Sequence, residues 1–273
     1  MEIPFSLQNL IVGFAASAAI GLVAWRMGAL AISGAFGATM IGGLIFGFGG
    51  LSWAAILLTF FISSSVMSKL FAKRKLELAE KFSKGSKRDW GQVLANGGVG
   101  VFIVVIQVFF PETIWPFLAF AGAFATVNGD TWATELGVLS AETPRLISNR
   151  KAVPRGTSGG VTWAGTMATI AGAGLIGFVA ILFEPNVKGL LVMLMITLGG
   201  LAGATMDSFL GATIQAIYYD PVREKETEKI VYDENGETMA PIRGWDWMNN
   251  DMVNFLSSIF GALITVALWQ IFS

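Results

Sequence analysis

Apolar residues run in blocks of about 20 along most of this chain, and a block of that length can span the hydrocarbon core as a helix. The blocks fall at 5–25, 29–49, 51–68, 91–110, 113–140, 158–183, 187–218 and 249–272. They predict a single all-α membrane domain over 1–273, a polytopic transmembrane helix bundle of eight spans. The second and third blocks are nearly continuous. They divide at FGFGG (46–50), where clustered glycines turn the chain. Without that division the count is seven and the N-terminus changes side. The first block has no basic stretch before it, so it reads as a span rather than a cleaved signal peptide.

Two polar connections stand out. The 69–90 loop is basic. The 219–248 loop holds Asn235-Gly236 between two short β-type runs, the signal for a hairpin with a type I′ turn. That hairpin is either a connector or a lid over a site at the membrane surface. With eight spans, 17 of the 18 Lys and Arg residues gather on one face, and only Lys188 lies opposite. The positive-inside rule makes the crowded face cytoplasmic and leaves both termini outside. The expected location is a prokaryotic cell membrane, with any site facing the cytoplasm.

Composition narrows the chemistry. Charged residues make up 14% of the chain, against about 25% in a soluble domain. The net charge of −1 gives no reason to expect nucleic acid as a partner. There is no Cys and no His. Disulfides, thiolate or imidazole zinc sites, Cys nucleophiles and Ser-His-Asp triads are excluded. Carboxylates, amides, hydroxyls, Lys, Arg and backbone N–H groups must carry any reaction. Glycine, 33 of 273 residues, lets helices approach closely in lipid.

Four polar clusters interrupt the apolar blocks, each near the cytoplasmic side. NGDTWATEL (128–136) places Asn128, Thr131 and Glu135 on one helical stripe, and Asp130 and Thr134 on another. Asp130 and Glu135 are about 140° apart on an ideal helix. They meet one ligand only if the helix loosens near Gly129; otherwise their roles are separate. An intramembrane acid is a functional-site hypothesis by default, with a bound cation or a basic partner to compensate it. KAVPRGTSGGVTWAGT (151–166) sets Lys151 and Arg155 beside Gly156, Thr157, Ser158 and Gly159. Such a segment is either an anion cradle at a helix start or a turn capped by Thr157 or Ser158. It lacks the Gly-Lys-Ser/Thr ending of a Walker A motif. GGLAGATMDSFLGATIQ (199–215) puts Gly203, Asp207 and Gly211 on one face, with Ser208 and Gln215 on the adjoining stripe. NNDMVNFLSS (249–258) offers Asn250, Asp251 and Asn254, which suit either a site or a helix cap. Asn96 adds an amide near the start of the fourth block.

Acids, amides and an anion cradle near one membrane face suit Mg²⁺ and phosphates, because Mg²⁺ binds through one or two carboxylates plus substrate phosphates. Metal, Arg or Lys, and backbone N–H groups together serve phosphoryl transfer. A lipid phosphate is already ionised and needs no general base, consistent with the missing His.

The segments QVLANGG (92–98), NGDTWATELGVLS (128–140), PRLISNRKAVPRGTSGGVTWAGT (144–166), GGLAGATMDSFLGATIQ (199–215) and NDMVNF (250–255) resemble, in order, the membrane-protein family that includes transmembrane protein 19 and the plant phytyl-phosphate kinase of tocopherol synthesis. The resemblance implies phosphorylation of a prenyl monophosphate, phytyl or geranylgeranyl, to its diphosphate by a nucleoside triphosphate such as CTP, with Mg²⁺. Carried onto matching positions, Asp130, Glu135, Asp207 and Asp251 become catalytic and metal-ligand candidates. Lys151, Arg155, Gly156, Thr157, Ser158 and Gly159 become phosphate-binding candidates; Asn96, Asn128, Ser208, Gln215, Asn250 and Asn254 complete the substrate-binding set. Many members carry a Cys-Pro-x-Cys element where this chain reads Asp220-Pro221-Val222-Arg223, so a zinc knuckle is excluded here.

Two other readings stand beside the kinase. One is a transporter for an ion or an anionic metabolite, against which the outer halves of the spans are nearly featureless. The other is a lipid-phosphate nucleotidyltransferase that releases pyrophosphate. A homodimer is left open.

Overall fold

The computed structural model describes residues 7–75, 87–137, 139–183, 189–222, 224–233 and 236–272. Seven helices follow in order: α1 (Leu7–Arg26), α2 (Ile32–Lys75), α3 (Trp90–Phe109), α4 (Trp115–Gly137), α5 (Trp163–Phe183), α6 (Gly189–Thr213) and α7 (Asn250–Phe272). Two short strand pairs sit in the connections, β1 (Arg145–Leu146) with β2 (Gly160–Val161), and β3 (Tyr218–Asp220) with β4 (Lys225–Thr227), both antiparallel. The architecture is the expected all-helical bundle.

Helix α2 is long enough to cross twice. It breaks at Gly50, whose φ of 72° and ψ of −156° are non-helical. Glycine takes positive φ without the Cβ clash that other residues suffer. The two halves, 32–49 and 51–75, therefore bring the long helical segments among the described residues to eight, consistent with the expected eight spans. Its second half runs on to Lys75, beyond the expected end at 68, because Lys, Leu, Ala and Arg are good helix formers once outside lipid. Side chains beyond Phe71 and the loop residues 76–86, including Lys81 and Lys84, lie outside the described residues, as do Lys188 and Arg223.

Six helices are long and apolar enough to cross a membrane, and α4 is not among them. Helix α4 lies at the centre instead. Pro116 through Gly129 are all buried. Its N-terminal half builds the aromatic core: Phe117 and Phe120 pack on Trp53 with ring centroids 5.5 and 4.6 Å apart, and Phe124 packs on Phe60 at 5.7 Å. Its C-terminal half carries the polar cluster.

Helices α4, α6 and α7 close on each other through glycine. Thr126 of α4 fits between Gly203 and Gly261, where any Cβ would overlap its hydroxyl. Thr265 of α7 fits in the same way between Gly122 and Gly199. Each hydroxyl is satisfied inside its own helix, Thr126 donating to Gly122 O at 3.0 Å and Thr265 to Gly261 O at 2.9 Å. The side chains act as compact wedges with no polar demand on their neighbours, the small-residue packing that substitutes for hydrophobic drive in lipid.

One expected boundary needs correction, and one connection carries an additional strand pair. Helix α5 starts at Trp163, not at 158. Residues 157–160 form a turn closed by Gly160 N–H donating to Thr157 O at 3.0 Å. Neither Thr157 nor Ser158 caps the helix. Thr162 Oγ1 accepts from Gly165 N–H at 3.0 Å, and Glu142 Oε2 accepts from Trp163 N–H at 2.9 Å. Thr162→Ala should lower stability by about 1 kcal/mol, the usual worth of such a cap, read as a fall of a few degrees in the thermal midpoint in detergent. In the 219–248 loop, the regular ladder is β3–β4, upstream of the expected hairpin. Around Asn235-Gly236 the chain also reverses, with Asp233 N–H donating to Glu237 O at 2.9 Å and Gly236 N–H to Asp233 O at 3.1 Å. Asn235 itself lies outside the described residues.

Candidate functional site

The polar ends of the helices meet on one side of the bundle. The α1–α2 turn is tied to the start of α3 by Ala31 N–H donating to Arg88 O at 3.0 Å and Arg88 N–H to Ala29 O at 3.1 Å. A capping box then begins α3: Asp89 Oδ1 accepts from Gln92 N–H at 2.9 Å, and Gln92 Oε1 accepts from Asp89 N–H at 3.2 Å. The 139–162 and 214–249 connections lie at the same end.

Helix α4 is continuous through Gly129, so the chain does not unwind there. Gly129 serves packing, since a Cβ would meet the Thr169 backbone and methyl at 3.0 Å. The two acids of the cluster consequently face different neighbours. Asp130 is part-buried and close enough to Asp207 of α6 for the two charges to interact. Glu135 is buried, accepts from Ser68 Oγ at 2.7 Å, and acts on the charge of Arg88. Asn128, fully buried, is a structural tie: its Oδ1 accepts from Ser63 Oγ and its Nδ2 donates to Gly172 O, both at 2.8 Å. It joins α2, α4 and α5 rather than facing a ligand.

Asp207 occupies the middle of a glycine-lined face of α6. Gly203, one turn before it, lets the α7 backbone at Ser257 approach; Gly211, one turn after it, lets the 158–159 turn approach. Ser257 Oγ donates to Asp207 Oδ2 at 3.1 Å. Glu228, just after β4, also lies in the electrostatic range of Asp207. Ser208 is part-buried on the same helix.

The 151–160 segment folds onto the end of α6. Gly159 has φ of +80° and touches the Ala212 backbone, leaving no room for a side chain. Ser158 Oγ donates to Gln215 Oε1 at 2.6 Å, and Arg243 Nη2 donates to Gly211 O at 3.0 Å. Gln215 Nε2 and Arg243 Nε are buried donors without a partner. Thr157 turns back on Pro154 O at 2.7 Å, while Lys151 and Arg155 project into solvent and Gly156 is part-buried. The start of α5 does not match the expected cradle, because Trp163, Gly165 and Thr166 N–H are already bonded within the protein. The 157–160 turn instead packs on the end of α6, beside Gln215 and Arg243.

At the start of α7, Asn249 is the cap, its Oδ1 accepting from Met252 N–H at 3.0 Å. Asn250, Asp251 and Asn254 are part-buried and spared that task. Asn96 is part-buried on α3 and lines a cavity together with Arg88.

The four acids therefore do not form one cluster. Among the described residues no three Asp or Glu side chains gather closely enough to hold a metal ion. The structure brings Asp130 within electrostatic range of Asp207, bonds Glu135 to Ser68 within electrostatic range of Arg88, and sets Asp251 at the head of α7. The sequence reading missed Arg88, Glu228, Arg243 and Ser257. Arg88 immediately before the Asp89–Gln92 capping box carried a visible signal, a cation fixed at a helix start. Ser257 and Glu228 carried none, because only tertiary packing brings them to Asp207. Burial lowers the Arg88 guanidinium to about 10, and the Glu135 carboxylate opposes that shift.

Known proteins match along most of the chain. Protein PGR of Arabidopsis thaliana is 36% identical over 238 residues, spanning 79% of this chain and 81% of that protein. The uncharacterized membrane protein MJ0933 of Methanocaldococcus jannaschii is 29% identical over 236 residues, or 86% and 84% of the two chains. Protein VTE6, chloroplastic, of Arabidopsis thaliana is 22% identical over 245 residues, or 88% and 66%. No solved structure matches significantly. The family model described as integral membrane protein DUF92 aligns with residues 15–262, from α1 to within α7, and the chain belongs to that family.

Proposed function

We propose that this protein is a prenyl-phosphate kinase, transferring the terminal phosphoryl group of a nucleoside triphosphate to a phytyl- or geranylgeranyl-like monophosphate at the cytoplasmic membrane face. The observation that carries the reading is the packing of α4 on α6 at Thr126 and Gly203, one turn before Asp130 and Asp207, with Gly211, one turn after Asp207, against the Ser158–Gly159 turn. Two acids held together in a membrane call for a compensating cation. The resemblance to the plant phytyl-phosphate kinase family supports the substrate class.

Two carboxylates fit Mg²⁺, which completes its shell with water and substrate phosphates. Asp130 and Asp207 would hold it, and it would neutralise charge on the phosphates in transfer. Ser257 orients one Asp207 oxygen through its hydrogen bond. Lys151 and Arg155, exposed at the rim, meet the triphosphate, and Ser158, Gln215 and Arg243 bind its anionic oxygens. Asn250 and Asn254 position the acceptor. An oxygen of the prenyl phosphate attacks the γ-phosphorus, and the nucleoside diphosphate leaves. The attacking oxygen is already ionised, so no residue has to remove a proton.

Purified protein with geranylgeranyl or phytyl monophosphate, Mg²⁺ and each common nucleoside triphosphate in turn should yield the prenyl diphosphate, with CTP the first donor to test. Chelation by EDTA should stop the reaction. No diphosphate with any donor ends this reading, and pyrophosphate release would redirect it to nucleotidyl transfer.

A further inference from the structure

A narrow, partly open cavity lies among α1, both halves of α2 and α3. Its walls are mostly apolar with a few polar groups, the character of a small-molecule site. Ile41, Leu57, Leu58 and Phe61 line it, together with Gly21 and Gly42, at which α1 and α2 pack closely. The cavity is partly open, and Ile20 at its wall is exposed on the apolar surface of the bundle. Gly42 lies ten residues along α2 from Ile32, about 15 Å below the cytoplasmic end at 1.5 Å per residue.

The polar groups are placed unevenly. Arg88 is in the connection that closes the cytoplasmic end, and Asn96 is less than two turns into α3. The Arg88 guanidinium donates to Ser64 Oγ at 3.0 Å and Ser65 Oγ at 3.2 Å, with its carbon 5.6 Å from the Phe60 ring centroid and the Glu135 carboxylate in electrostatic range. Those two bonds use two of its five N–H donors. A partly open apolar slot, with a fixed cation at its water-side end, complements an amphiphile with one greasy chain and an anionic head. Guanidinium forks favour phosphate for that head.

We propose that this cavity seats the first part of a single prenyl chain, with Arg88 and Asn96 receiving its terminal phosphate. The chain's identity rests on the kinase reading; the cavity and its polarity do not. Glu135, acting on Arg88 from α4, then links the acceptor phosphate to the helix that carries Asp130.

The test is direct binding without nucleotide or Mg²⁺, using geranylgeranyl monophosphate, geranylgeraniol and dioleoyl phosphatidic acid as probes. Wild-type protein should bind the monophosphate at least tenfold more tightly than the alcohol. Arg88→Gln should abolish that preference, and Ala38→Phe, which fills the cavity, should weaken both ligands at least tenfold. Wild-type affinity in Ala38→Phe, a retained preference in Arg88→Gln, or equal binding of phosphatidic acid would overturn the assignment. Should Arg88→Gln fail to fold, a photoreactive prenyl monophosphate decides: labelling at Ile41 or Leu57 supports the cavity, and labelling elsewhere refutes it. The two readings fail separately. Cavity-dependent binding without diphosphate formation keeps the cavity and ends the kinase, whereas full turnover in Ala38→Phe does the reverse.

Discussion

Asp207→Asn should leave a folded bundle that turns over on the order of 10²-fold more slowly, or not at all, a loss typical of removing one group that stabilises transition-state charge. Asn matches Asp in shape. Its side-chain oxygen still accepts the Ser257 hydroxyl, which now stands 3.1 Å from Asp207 Oδ2. What disappears is the negative charge shared with Asp130. The expected signature is an unchanged elution profile and thermal midpoint with activity lost at every Mg²⁺ concentration tried. Full activity would remove Asp207 from the site. Glu135→Gln offers a contrast. Its carboxylate serves Ser68 and the charge of Arg88, so the loss should appear mainly as weaker use of the lipid acceptor.

The second large effect is structural. Gly203→Val should cripple the protein, because even the first carbon of the new side chain overlaps Thr126 and comes within 2.9 Å of Ser257 O. Overpacking of this kind costs about 1–3 kcal/mol when neighbours can shift. Here they cannot, as Thr126 is wedged from the other side by Gly261. Helix α6 must move outward, and Asp207, one turn along, moves with it. Yield, thermal midpoint and turnover should all fall together. Gly174→Ala is the matched control. A Cβ there meets only Thr197 Oγ1 at an ordinary 3.7 Å, and alanine favours helix. A Gly203→Val protein with wild-type midpoint and activity would show that the α4–α6–α7 contact is not the fixed frame described here.

These two experiments probe features that differ in how far the sequence discloses them. Span positions follow from hydropathy alone, because lipid forbids unsatisfied backbone and leaves helices as the answer. The break at Gly50 was legible in the glycine cluster, which names a conformation few other residues adopt. The acids stood out because each is costly in its setting. Their grouping did not. Helical periodicity separates Asp130 from Glu135 by angle, but it cannot say that Asp130 meets α6 while Glu135 meets Ser68 across a gap of 67 positions. The start of α5 was misplaced for a related reason. Thr157, Ser158 and Thr162 are all competent caps, and the choice among them depends on Gly159 docking against Ala212, a contact between segments more than 50 residues apart.

The burial of α4 has a consequence for biogenesis. The central helix is too polar to be a good solitary guest in lipid, while the helices around it are long and apolar enough. A nascent chain emerging up to residue 137 would present a segment with Asn128, Asp130 and Glu135 to the insertion machinery. Each acid there costs about 2.5–3.5 kcal/mol on insertion scales. Ser63 and Ser68, which bond Asn128 and Glu135, belong to a helix synthesised earlier. The earlier helices can thus serve as an in-built escort, receiving α4 as it leaves the translocon, before α5 to α7 arrive to complete the seal.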